Sequence, residues 1–229
     1  MQKIKVQDLG SIKYADALEI QTQKFNELID NKMNERSNTD AHFLYVCEHE
    51  PVITLGKAAN EQNILLSKEF LKEKGIDVVH INRGGDVTFH GPGQITGYPI
   101  LDLDFFTSDL KVYMRMLEEV MIQTIAAYHL VGYRIEDATG VWVNSKVDNQ
   151  PKKIAAFGVK TSRWITMHGF ALNVDVDLNY FNYINPCGFT DKGVTSIKNE
   201  TGNEVDIDEV KRVLLDNFAK VFNAEMITT

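Results

Sequence analysis

Three segments of this chain hold side chains whose types suit acyl chemistry. Cys187 stands in Asn185-Pro186-Cys187-Gly188 and is one of only two cysteines. A Gly-rich island, Arg83 to Gln94, lies about a hundred residues upstream. The lysine pair Lys152-Lys153 opens Ile154-Ala155-Ala156-Phe157-Gly158 between them. A thiol on a turn is more exposed than one inside a strand, and a nearby cation lowers its pKa below the free value of ~8.5, turning it into a nucleophile. Lys153, His90 and His168 are the candidate activators. Cys47 sits in an apolar strand pattern and belongs to the core.

The island Arg83-Gly84-Gly85-Asp86-Val87-Thr88-Phe89-His90-Gly91-Pro92-Gly93-Gln94 holds four glycines and one proline. Glycine costs backbone entropy, so such a run serves either tight turns or the close approach of a ligand. Arg83, Thr88, His90 and Gln94 interleave with the glycines, which points to a pocket wall. The island is not a Walker A loop, because no Gly-Lys-Ser/Thr follows, and its spacing fails the dinucleotide fingerprint. A zinc site of Cys187, His90 and His168 lacks any CxxC or HxxxH spacing, so no metal is expected. From these residues alone, a Cys–His hydrolase stays open beside acyl transfer.

The elements that must position these residues read as a mixture. Tyr14 to Glu35 has the periodicity of an amphipathic helix. His42 to Cys47 and Val52 to Leu55 read as strands around Pro51. Ser67 caps a short helix that Gly75 ends, and Asp77 to Asn82 is a strand delivering the chain to the island. Gln94 to Leu103 is a further strand, followed by a long helix over Ser108 to Leu130. Val141-Trp142-Val143, Ile154 to Val159 and Trp164 to Val174 read as an antiparallel meander. Asp206 with Glu209 opens the last helix, which runs to about Phe222. Runs of strands beside helices, rather than regular βαβ winding, predict an α+β fold. With 229 residues, no repeat and no linker, one domain spanning 1–229 is expected. A net charge of −8 argues against nucleic-acid binding. The absence of an apolar run long enough for export or for spanning a bilayer predicts a cytoplasmic protein with reduced cysteines and no membrane contact.

Taken in order, four blocks resemble the lipoyl(octanoyl) transferases. These are Arg83-Gly84-Gly85-x-x-Thr88-Phe89-His90-Gly91-Pro92-Gly93-Gln94 with Tyr98-Pro99, Lys153 to Gly158, His168-Gly169-Phe170-Ala171-Leu172-Asn173, and Asn185-Pro186-Cys187-Gly188. The resemblance implies a curved mixed sheet flanked by helices, as in the catalytic domains of biotin and lipoate protein ligases. It implies transfer of octanoyl from octanoyl-acyl carrier protein to a lysine of lipoyl domains, those of 2-oxoacid dehydrogenases and of the glycine-cleavage H protein. Cys187 would then form the acyl thioester and Lys153 would lower its pKa. The substrate pocket would be lined by Arg83, Gly84, Gly85, Asp86, Val87, Thr88, Phe89 and His90, by Ala156, Phe157 and Gly158, and by Gly169, Phe170 and Ala171. The side chains at 86, 155 and 157 receive no role of their own. Neighbours on a strand face opposite ways, so only one of Lys152 and Lys153 faces the thiol, and the family pattern selects Lys153. The thioester carries its own activation, so no cofactor, ATP or metal is implied. An ATP-dependent lipoate ligase on the same fold and a non-catalytic binding module are the alternatives.

Overall fold

The computed structural model describes residues 1–34, 42–185 and 193–228. The chain opens with β1 (Gln2–Ile12) and α1 (Tyr14–Met33), followed by β2 (His42–His49) and β3 (Val52–Leu55). After α2 (Lys68–Glu73) come β4 (Asp77–His80), β5 (Val87–His90) and β6 (Gln94–Ile100). Helix α3 (Leu110–Ala126) precedes β7 (Tyr133–Ile135), β8 (Ala138–Asn144), β9 (Pro151–Ser162) and β10 (Ile165–Asn173). The chain closes with β11 (Gly193–Val194), α4 (Ile197–Thr201), α5 (Ile207–Phe222) and β12 (Ala224–Thr228).

The large sheet is mixed, in the order β12-β1-β2-β6-β10-β9-β8-β7, with β11 alongside β9. β1 runs parallel to both β12 and β2, whereas β2, β6, β10, β9, β8 and β7 follow one another antiparallel. Strand alternation sorts its two faces. Leu44 and Val46 pack under α3 and α5 with Leu117, Val120 and Phe218. Tyr45 and Cys47, one position off, pack under α1 with Phe25 and Leu28. Helices therefore cover both faces, and the fold is α+β as expected.

A second, small sheet has the order β4-β3-β5. β2 and β3 flank Pro51 but do not pair with each other: β2 lies between β1 and β6, while β3 lies between β4 and β5. The Gly-rich island, which was assigned no strand, thus contains one, β5, antiparallel to β3. Alternation along β5 places Phe89 in the small sheet's own core, fully buried and stacked on Tyr180 at 4.6 Å.

The caps follow elementary hydrogen-bond chemistry. Ser67 Oγ accepts from Phe70 N at 3.2 Å, and Gly75 takes a left-handed φ of 69° just past α2. Asp109 and Asp206 cap α3 and α5, each accepting two backbone N–H bonds.

Candidate active site

The cavity lies where β9 parts from β8. β8 pairs with β9 only from Pro151 to Ala155. Beyond Ala155, β9 has no strand on that side among the described residues. The glycine island docks there instead, with Gly84 N–H donating to Val159 O at 2.9 Å. Between island and sheet is a cavity of about 540 Å³. Arg83, Gly84, Gly85, Asp86, Val87, Thr88 and His90 line one wall. Ala156, Phe157 and Gly158 of β9 and Gly169, Phe170 and Ala171 of β10 line another, and Lys153 stands on the same cavity.

Small residues make this approach possible. A Cβ on Gly158 would lie 2.8 Å from Arg83 Cδ and 2.9 Å from Gly84 O, inside any real contact. One on Gly169 would lie 2.2 Å from Gly97 O. Arg83 is turned inward: Nη2 donates to Thr54 O and to Thr54 Oγ1, both at 3.0 Å, and Nη1 to Gly84 O at 2.9 Å. It braces the island on β3.

A relay of buried side chains fixes His90. Asn173 Nδ2 donates to Thr195 O at 2.9 Å, so Asn173 Oδ1 accepts from Gln94 Nε2 at 2.9 Å. Gln94 Oε1 then faces His90 Nδ1 at 2.7 Å and accepts a hydrogen bond from its N–H. His90 Nε2 is left with its lone pair toward Thr54 Oγ1, 3.4 Å away. Burial holds its pKa down to about 3, with the neighbouring His49 adding to the effect. His168 is likewise held down to about 3, by burial first and then by Arg83 and Lys160. Burial thus favours the neutral imidazole at both positions, a base rather than a cation.

The two lysines part company. Lys152 Nζ pairs with Asp148 at 3.0 Å. Lys153 lies on the cavity with Nζ 4.8 Å from the centroid of the Trp142 ring. Cys187, with Pro186 and Gly188, lies outside the described residues. The chain on either side is anchored beside the cavity. Asn185 N–H donates to Asn63 O at 2.7 Å, and Asn63 Nδ2 donates to Asp86 on the cavity wall at 2.7 Å. Gly193 and Val194, on the other side, line the cavity, with Val194 in register with Lys153.

Three expectations need correction. Phe89 does not face the cavity, because strand alternation turns it into the small core. Asp86 is not filler: Oδ1 accepts from Val87 N and Oδ2 from Asn63, both at 2.7 Å. Ala155, given no role, lines the cavity beside Phe157. Tyr14, Thr96, Tyr98 and Trp142 also line it and were not singled out as site residues. For Trp142 a signal existed, since it belongs to the strand that pairs across from the lysines.

Cys47 is fully buried among apolar residues, and burial pushes its thiol pKa far up. It is a core residue, as its strand pattern indicated.

A mixed sheet covered by helices is the fold this chain shares with solved lipoate-protein ligases. Across its whole length the chain superimposes on a lipoate-protein ligase A bound with ATP, with a TM-score of 0.72 over 88% of that chain at 16% identity. A bipartite lipoate protein ligase from Thermoplasma acidophilum gives 0.69 over 100% of this chain and 86% of that chain, at 14% identity. The chain belongs to the Lipoyl protein ligase A/B catalytic domain family, which matches it over residues 13–219. Its relatives include the octanoyltransferase of Parabacteroides distasonis, 50% identical over 97% of this chain and 100% of the relative. The octanoyltransferase of Flavobacterium johnsoniae is 48% identical over 99% of both chains.

Proposed function

We propose that the protein is an octanoyltransferase, a single catalytic domain that moves an octanoyl group from octanoyl-acyl carrier protein to a lysine of lipoyl domains. The acceptors are the lipoyl domains of 2-oxoacid dehydrogenases and the glycine-cleavage H protein. The observation that carries this reading is the placement of Lys153 on a largely apolar, glycine-walled cavity, beside the chain on both flanks of the cysteine segment. Among the described residues no helix is long and apolar enough to cross a membrane. We place the enzyme in the cytoplasm, with its carrier-bound donor.

The reaction has two steps. In the first, the Cys187 thiolate attacks the thioester carbonyl carbon of the donor. A new C–S bond forms, the bond to the carrier's pantetheine sulfur breaks, and that sulfur leaves as a thiol after taking a proton. In the second, the lipoyl-domain lysine amine attacks the Cys187 thioester. The C–N bond forms, the C–S bond breaks, and the amine's proton passes through Lys153 to the leaving sulfur. Negative charge on the acyl oxygen calls for N–H donors, and one aligned donor contributes roughly 3 kcal/mol. Each buried methylene of the acyl chain adds about 0.8 kcal/mol of binding. The thioester stores the activation, so the reaction runs without ATP or metal.

Incubation with octanoyl-acyl carrier protein, followed by intact mass, tests the reading. The expected result is one octanoyl adduct, labile to hydroxylamine, formed without ATP and lost in Cys187→Ser but kept in Cys47→Ser. Lys153→Met should slow transfer severely, and Lys152→Met should be nearly silent. Full transfer by Cys187→Ser, or a strict requirement for ATP and Mg²⁺, would overturn it.

A further inference from the structure

We infer that Gly140 and Trp142 are positioning residues that hold the Lys153 side chain over the cavity, a role resting on the reading of Lys153 given above. The strand pairing is where the argument begins. Val141 pairs with Ala155 but Trp142 pairs with Lys153, so β9 carries one extra residue, Ile154. This is a bulge, a device that re-aims neighbouring side chains. Consistent with it, Ile154 and Ala155 both enter the core under α3 and α5, which strict alternation forbids.

Across from the bulge, β8 offers a groove shaped to the lysine. Gly140 has φ of 148°, and a Cβ there would lie 2.8 Å from Lys153 Cε and 3.2 Å from Lys153 Cδ. The aliphatic stem thus runs over Gly140 where any side chain would stand. Further along, the ammonium faces the Trp142 ring at 4.8 Å from its centroid, a cation–π contact. The ring is itself held: Trp142 is 2% exposed and its Nε1–H donates to Ala138 O at 3.1 Å. Gly140 N–H donates to the buried Glu118 carboxylate at 3.3 Å, and Arg115 and Arg134 neutralise that carboxylate. The β7–β8 hairpin is therefore pinned to α3.

The test has a spectroscopic arm and a kinetic arm. The chain has two tryptophans, and Trp164 is exposed at the β9–β10 turn, so Trp164→Phe leaves Trp142 as the sole indole. In that protein, Lys153→Met should shift Trp142 emission and Lys152→Met should not. Kinetically, Trp142→Phe should stay within about threefold of the native kcat, because a ring face remains, while Trp142→Leu should lose about tenfold or more. Gly140→Ala should lose kcat on a similar scale. Circular dichroism checks folding, and rescue by Phe separates ring contact from general packing. Unchanged emission on Lys153→Met, or native kcat in Trp142→Leu beside a dead Lys153→Met, overturns the inference alone. Native kcat in Lys153→Met overturns the proposed site, and the positioning role with it.

Discussion

Acidification should unfold this protein well before its carboxylates titrate, because it stores neutral histidines in its interior. His42, His90 and His168 are 0%, 7% and 3% exposed. Burial lowers their pKa from 6.5 to about 4, 3 and 3 respectively. His49 is lowered by the same cause, partly offset by its bond to Ile12 O. The unfolded chain therefore binds these protons first, and stability falls as pH drops below the unfolded value of 6.5. At about pH 5 each such imidazole has given up about 2 kcal/mol, that is, about 1.4 kcal/mol for each of ~1.5 pH units. Three of them total about 6 kcal/mol, comparable to the whole stability of a typical domain. Glu119, held below the usual range by Arg134, loses its contribution only at lower pH. Urea unfolding at about pH 7.5, 6 and 5 should thus show a steep fall, with roughly three protons taken up on unfolding near pH 5. His42 packs against Phe105 and Phe106 and is not among the residues lining the cavity, so His42→Asn should remove about one proton from that slope. A stability that stays flat from about pH 6.5 to 5 would refute the argument.

Two further outcomes follow from the packing. Phe89→Ala should cost about 3–5 kcal/mol in urea unfolding and leave the preferred acyl chain length unchanged, whereas a change in chain length at native stability would put Phe89 on the cavity after all. Gly158→Ala places a methyl 2.8 Å from Arg83 Cδ and 2.9 Å from Gly84 O, so the island must shift. Transfer should fall by about tenfold or more with the fold retained, and native activity would show that the island's position does not matter.

Much of this architecture was legible because local patterns agree with the fold. The β8–β10 meander, the helix starts at Ser67 and Asp206, and the burial of Cys47 all rest on periodicity and caps. What stayed hidden depended on partners distant in the chain. β1 escaped notice because only Ile4 and Val6 of its eleven residues are buried, giving too short an alternation. β2 and β3 looked like neighbours in one sheet, since nothing local reveals that Pro51 sends the chain into another layer. β5 was masked by its flanking glycines, and with it the face that Phe89 takes. The relay through Gln94, Asn173 and Thr195 joins residues up to 101 positions apart, so no window of sequence contains it.

The bond from Gly84 to Val159 has a consequence for solubility. From Ala156 onward, β9 would otherwise present bare N–H and C=O groups along one side, flanked by the half-buried Phe157 and Val159. Such an edge is a template for pairing with another chain. The island therefore acts as a guard as well as a wall, capping an interior strand that its neighbour leaves half uncovered. Variants that loosen it will tend to associate with one another, so lost activity there will arrive together with aggregation.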